Sequence, residues 1–423
     1  MKNGILAFLM PDSLMSQNSY EEFRNFYIDY LHQERLYLQS LDRWMAPLRP
    51  FKVGKKSVTQ DFNTYYFGYP VVDYSKGITI EEIHKRNRVP DDVINQGHSF
   101  NEIEHLININ TSLAKQLSTS STAFTYVSSI FDFSKIIGDT DYLYRTGVES
   151  TPFEIFKLIG AGISPFEGHY RFKNKTLKTS RYKVEDIPHE GWDFPTELIY
   201  PMLEGPNVKP FTYDCTNLFH IIPYKKENTK KPIDIIELTT HNLRLATYFA
   251  DHKTLLDSQS EKSKTMHCGN AFYALSKIGP YTFAPYLVAA RDNSRFCATV
   301  VKPTLTPWGD LKQTICVKHT IIISQDKQGN FITEDEAHYI NGILNSSIVV
   351  AYIHNTFKTN GFSLNKSHLF LPKYRNEPLF NSIVKLSKEA TTFPNKCKVI
   401  SEKLTSAYLE LCKTYNYNGK GND

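Results

Sequence analysis

At 423 residues, with 41% apolar content and a net charge of +5, the chain is long enough for about two or three domains with real cores, and its modest charge excludes a wholly basic nucleic-acid coat while leaving room for a local basic face. Six cysteines with no CxxC spacing argue against a disulfide framework and predict buried thiols in a reducing compartment. The 26 Tyr and 27 Phe are unusually many, and part of that excess is expected on an interface, where Tyr gives stiff amphipathic contact surface.

In chain order, the run Gly4 to Met10 is too short to cross a bilayer and only Lys2 precedes it; nothing else approaches the roughly 18 apolar residues a span requires, so a cytoplasmic protein is expected. Residues 1–74 read as α/β: a strand ILAFLMP, a turn at Pro11-Asp12-Ser13, a helix from Ser19 to Leu31 with Ser19 and Glu22 as a capping box, and a strand within Val58 to Tyr69. One strand and one helix cannot build a doubly wound sheet, so a later segment or another chain must pair with the first strand. Residues 75–168 read as a mixed connecting region with helices at Ile80 to Lys85, Phe100 to Leu117 and Pro152 to Leu158. Gly160 and Gly162 lack the third glycine of a dinucleotide loop and read as an ordinary turn. Residues 169–423 are strand-rich to about Ser324 and then helical, closing with two amphipathic helices over Glu377 to Tyr415 separated at Phe393-Pro394-Asn395. The fold class is therefore mixed, α/β and α+β, with C-terminal helices.

Two stretches interleave cations with aromatics. Tyr170 to Lys183 carries Arg171, Lys173, Lys175, Lys178, Arg181 and Lys183 with no acid among them. Phe272 to Pro303 carries Tyr273, Lys277, Tyr281, Tyr286, Arg291, Arg295 and Lys302 over short strand-like runs broken by Gly279, Pro280 and Pro285. Such mixtures suit nucleic acid, because cations neutralise phosphate, Arg forks onto a guanine edge and rings stack on bases. They also suit a half-buried sheet whose long cations snorkel to solvent.

No catalytic constellation is complete. Asp310-Leu311-Lys312 has the D-x-K form of a metal-dependent nuclease but lies in a Trp-Gly turn without a companion carboxylate strand. His241-Asn242 with His252 fits a helix surface better than a metal-finger nuclease, and the pairs His267-Cys268 and Cys215 with His220 each fall short of the four ligands of structural zinc. GxSxG, Walker and HExxH motifs are absent. Catalytic, cofactor-binding and metal residues are accordingly not assigned in this chain.

Several segments, in order, resemble one family. Asn3 to Leu31, with Gly4, Pro11, Tyr20 and Arg24, resembles the strand and helix that follow the catalytic motif of N6-adenine DNA methyltransferases. Phe51 to Phe67 resembles that family's closing hairpin, which implies Phe51 as a base-stacking residue. Ile199 to Phe211, IYPMLEGPNVKPF, resembles the signature that opens the target-recognition domain of type IIG restriction and modification enzymes; Tyr248 to Leu256, Phe272 to Ala290, Ala337 to Ile353 with LNSS at Leu344 to Ser347, and Ser363 to Pro372 follow in that domain's order. The family's Gly-rich turn for S-adenosylmethionine and its Asn/Asp-Pro-Pro-Tyr/Phe tetrapeptide are missing from the 423 residues. The resemblance implies the DNA-recognition portion of an adenine-N6 DNA methyltransferase or restriction-modification system, a split subunit or truncated product, with residues 1–74 a methyltransferase-like remnant and 169–423 the target-recognition domain. It implies duplex DNA and a catalytic methyltransferase chain as partners, S-adenosylmethionine on that partner, and a place in phage defence. DNA contact is expected from Tyr273, Lys277, Tyr281, Arg291, Arg295 and Lys302, with Arg171, Lys173, Lys175 and Lys178 on phosphates. An active nuclease or complete modification enzyme with unrecognised motifs, and a non-catalytic assembly protein, remain the alternatives.

Overall fold

The computed structural model describes residues 4–16, 20–29, 34–45, 48, 52–53, 56–57, 61–94, 99–117, 122–127, 130–176, 191–291, 295–357, 364 and 367–416. They form two units, one of residues 1–139, 348–370 and 412–423, the other of residues 140–347 and 371–411. The expected boundary after Tyr74 falls inside the first unit's sheet, where the Tyr74 hydroxyl accepts from Leu38 N at 2.8 Å. The one expected after Gly168 falls inside a paired hairpin of the second unit.

The first unit is built on a six-stranded sheet. Its strands are β1 (Leu6–Pro11), β2 (Tyr37–Trp44), β3 (Phe62–Gly68), β4 (Ile78–Lys85), β5 (Ile107–Gln116) and β6 (Phe124–Tyr126), in the order β1-β3-β2-β4-β5-β6. Only β2 and β4 run parallel. The partner that β1 requires is thus a later segment of the same chain, with Leu6 opposite Phe67 and Pro11 opposite Phe62. Alternation sends Tyr65 and Phe67 inward against Leu14, Leu38, Leu41 and Ile80. Phe8, Phe23, Phe26 and Phe67 pack ring against ring at centroid distances of 5.5–6.2 Å.

Asn63 carries polarity into this core. It donates to Asp12 Oδ1 at 2.8 Å, and Tyr126 OH donates to the same oxygen at 2.6 Å. The buried Arg43 guanidinium lies 3.4 Å over the Tyr126 ring and pairs with Glu82 at 2.8 Å. The buried Asp12 and Arg43 also face each other, at 3.7 Å, as burial of charge demands.

Three helices expected in this half of the chain differ. Ser19 lies outside the described residues, and beyond Tyr20 only Glu21–Arg24 is helical before Tyr27–Asp29 pairs as a strand with Glu34–Arg35. Ile80 to Lys85 lies in β4, where eight residues pair with β5 and its β-branched Ile and Thr outweigh the helical pull of Glu81-Glu82. Phe100–Ile103 starts as a helix with a Ser99/Glu102 capping box, but β5 follows, because Asn108, Asn110, Thr111 and Ser112 compete with a helical backbone and fit a pleated edge.

The second unit holds a four-stranded and a six-stranded sheet. The first runs β7 (Arg145–Thr146), β16 (Thr320–Ile323), β13 (Leu287–Arg291), β14 (Ala298–Val301), antiparallel throughout. The other comprises β8 (Lys157–Ile163), β9 (His169–Asn174), β10 (Trp192–Pro195), β11 (Ile199–Leu203), β12 (Leu218–Ile221) and β15 (Ile315–Cys316), in the order β10-β9-β8-β12-β11-β15. Under it, Leu158, Phe172, Phe194, Phe219 and Ile221 join α1 (Ile235–His241) and α2 (Leu243–Asp251) in one core. Asn174 closes that core: it donates to Glu154 O at 2.8 Å and Tyr248 OH at 2.7 Å and accepts from Trp192 Nε1 at 3.1 Å.

The helical end follows the expected plan. Thr333 and Glu336 form a capping box on α3 (Glu334–Leu344). Past it lie α4 (Pro378–Thr392) and α5 (Cys397–Tyr415), with Pro394 in the break between them. Asn345, in the LNSS run, works as an artificial strand neighbour. Its Nδ2 donates to Ala298 O at 2.8 Å while its Oδ1 accepts from Ala298 N at 3.1 Å, which pins edge strand β14 to the end of α3.

Candidate nucleic-acid interface

The β8–β9 hairpin sorts its residues by the two-residue strand period. Phe172 and Asn174 point into the core, so Arg171, Lys173 and Lys175 point out. Arg171 forks onto Asp193 of β10, Nε to Oδ1 at 3.0 Å and Nη2 to Oδ2 at 2.9 Å. That hydrogen bond, against a smaller cost of burial and with help from Ser164 and the charge of Arg244, holds the Asp193 carboxyl below its ordinary range. Lys175 is tied to Glu204, which also receives Lys157 Nζ at 2.9 Å. Burial alone would raise the Glu204 carboxyl; the two ammonium groups more than offset it and lower it. Lys173 is exposed and has no ion pair among the described residues. Lys178 and Phe51 lie outside the described residues.

Phe272 to Pro303 divides residue by residue. Tyr273 is only 1% exposed: its ring stacks on Phe249 at 4.7 Å and its hydroxyl donates to Ile233 O at 2.6 Å, with burial pushing the phenol up to about 12. It therefore stands in the core, not on a surface, because Phe249 and the Ile233 carbonyl together satisfy both its ring and its polar end. Tyr281 lies in the short 3-10 turn Pro280–Phe283, half-buried beneath the Arg145 guanidinium at 4.5 Å. Lys277, at φ 57°, reaches Glu149 at 2.9 Å, and Lys318 reaches the same carboxylate. Arg291 ends β13 half-buried, whereas Arg295 and Lys302 are exposed on either side of β14. The structure thus brings Arg295 and Lys302 to the two ends of one pinned strand.

The sequences that hint at chemistry have structural occupations. Lys312 Nζ donates to Glu197 O at 2.8 Å and Ile199 O at 3.1 Å, and also to Thr196 O, beneath the rings of Tyr200 and Trp308. Burial pulls this ammonium down to about 8, and Asp310, which would be its nuclease companion, accepts instead from Trp308 Nε1 at 3.0 Å. His220 is fully buried, stacked on Phe156 at 6.0 Å; its Nδ1 donates to Ile221 O at 2.7 Å and its Nε2 accepts from Ser150. Asn242 caps α2 through Leu245 N at 3.2 Å, and His252 Nδ1 bonds to Tyr248 O at 2.6 Å. Gly160 and Gly162 flank a β-bulge rather than a strand-to-helix turn, which leaves them no helix N-terminus to offer a phosphate. Among the described residues, no group of three or more His, Cys, Asp or Glu could hold a metal ion, and no helix is long and apolar enough to cross a membrane.

Sequence reasoning missed Arg244, whose guanidinium lies 3.9 Å over the ring of Phe166 in the β8–β9 turn. Its only signal was the outward position of an Arg on an amphipathic helix, which most surface arginines share.

This mixed α/β architecture, strand-rich with C-terminal helices, is found again in part of one restriction-modification enzyme. The chain is similar to the type IIL restriction-modification enzyme MmeI, whose structure was solved in complex with DNA, at a TM-score of 0.51 and 12% identity. The match covers 100% of this chain and 48% of that one, so the chain spans about half of that enzyme's length. No protein-family model and no curated protein matches the chain.

Proposed function

We propose that this chain is the DNA-recognition portion of a restriction-modification system of the adenine-N6 methylating kind, with methyl transfer and S-adenosylmethionine on a catalytic partner chain. The whole-length likeness in fold to an enzyme solved on DNA carries this reading. One feature supports it: Lys173, Arg295 and Lys302 are exposed on the strand-rich unit. Lys173, Arg295 and Lys302 act as phosphate contacts that set the register on the duplex.

Duplex binding by fluorescence anisotropy between low and physiological salt tests it. The expected result is an affinity that falls linearly on a log–log plot against salt, together with stimulation of methyl transfer by a neighbouring methyltransferase chain. Absence of any salt-dependent duplex binding would sink the reading. Binding without stimulation would remove the catalytic partner and leave a DNA-binding protein.

A further inference from the structure

The turn that joins β8 to β9 displays what a soluble surface ordinarily hides. Ile163 is 88% exposed and Phe166 43% exposed. Ile159, opposite Lys173, and Ala161, at the bulge, are exposed as well, and Ile163 ends the strand opposite Tyr170, so exposed apolar side chains lead to the tip. The tip is held in place. A β-bulge between Gly160 and Gly162 re-aims the strand, with Gly162 at φ 120°, where a residue with a Cβ is strained. Phe166 N donates to Ser164 Oγ at 3.1 Å, His169 N to Phe166 O at 3.2 Å, and Thr196 N to Gly168 O at 3.3 Å. Arg244 holds the Phe166 ring from one side at 3.9 Å.

Charge beside the tip selects its occupant. Arg244 lies on the Phe166 ring, Arg171 stands opposite Gly162 and Lys173 opposite Ile159; Asp193 answers Arg171, and Glu167 is exposed in the turn itself. An apolar point with cations alongside is complementary to a base step bracketed by phosphates, where unstacking exposes apolar faces and the cations stay on the backbone. A protein partner matched to the same cations would have to supply carboxylates beside an apolar socket, which the short, narrow tip has little area to reward.

We propose that Ile163 and Phe166 form a wedge that enters a base step of duplex DNA and unstacks it, with Lys173 and Arg244 on the flanking phosphates. This rests on the DNA-binding reading above and adds a deformation that the reading does not require.

Permanganate oxidation of unstacked thymines in a mixed-sequence duplex reads this without knowledge of the target, with anisotropy on the same duplex as the measure of binding. The full chain is expected to raise thymine reactivity at discrete positions by about five-fold, and Ile163→Ser with Phe166→Ser to abolish the rise at protein concentrations where anisotropy shows the duplex saturated. Ile163→Met, which keeps the point apolar, retains it. Binding with no enhanced thymine, or enhancement that survives the double substitution, overturns the wedge and leaves the DNA reading standing. No duplex binding by the unaltered chain overturns both. A chain that sediments as a dimer and becomes monomeric on Ile163→Ser assigns the tip to a second copy of the protein and likewise overturns the wedge.

Discussion

In the β8–β9 hairpin the rings and the cations part company by strand parity: Phe172 goes in, Arg171 and Lys173 go out. In Phe272 to Pro303 no single period governs, and each residue finds its own place. Tyr273 ends in the core, Tyr281 under Arg145, Lys277 on Glu149, and only Arg295 and Lys302 reach solvent without a carboxylate among the described residues. A regular strand makes a surface by construction, whereas turns and short 3-10 segments spend their side chains on holding themselves together. The difference predicts that the second stretch answers to substitution mainly in stability and the first mainly in binding.

Tyr273→Ala gives the largest expected effect. Removing a fully buried ring that stacks on Phe249 should cost about 3–5 kcal/mol in urea unfolding, and Tyr273→Phe, which leaves the Ile233 carbonyl unpaired, about 1 kcal/mol. DNA affinity per folded molecule should not change. A mild loss of stability with a large loss of binding would put Tyr273 back among the DNA contacts and break the comparison.

Asn345→Ala comes next. It strips the two bonds to Ala298 and unpins β14, at an expected cost of about 1–3 kcal/mol. Amide exchange across Ala298–Val301 should quicken more than in β8. Uniform quickening across the second unit would mean that Asn345 steadies the whole unit and not one strand.

How much of this was legible in advance follows from the range of the forces involved. Pro378–Thr392 and Cys397–Tyr415 were readable because amphipathic period and a proline break are local signals. The strands β4 and β5 were not, since Glu81-Glu82 and the Ser99/Glu102 cap speak locally for helix while the deciding bonds come from strand pairing along eight residues. The outward set Arg171, Lys173, Lys175 was visible as alternation. What could not be read was that Asp193 and Glu204, far along the chain, already occupy two of the three. Tyr273 was misplaced for the same reason: its partner Phe249 lies on a helix that closes over it from a separate part of the sequence.

Acid acts at the root of the exposed hairpin. His220 sits opposite Lys157 in the sheet, and burial first, then the charge of Lys157, lowers its imidazole from 6.5 to about 3. The unfolded chain therefore takes up a proton below pH 6.5 that the folded chain refuses until about 3, so this residue's contribution to stability is full above 6.5 and is lost as pH falls through that window. Stability measured by urea at several pH values should lose part of its acid slope in His220→Asn, whatever that substitution costs at neutral pH. An unchanged slope would show that other groups dominate there.

The smallest effect separates neighbours on one strand. Lys173 is exposed with no ion pair among the described residues, whereas Lys175 is committed to Glu204. If phosphate contact requires an uncommitted ammonium, Lys173→Ala should reduce the slope of log affinity against log salt by about 0.9 and change stability by less than about 0.5 kcal/mol. Lys175→Ala should leave the salt slope unaltered, because an ammonium held on Glu204 does not reach a phosphate. Equal losses of slope would mean that Glu204 surrenders Lys175 when DNA arrives, and the hairpin's carboxylates would then be part of recognition, holding cations in reserve for the phosphates.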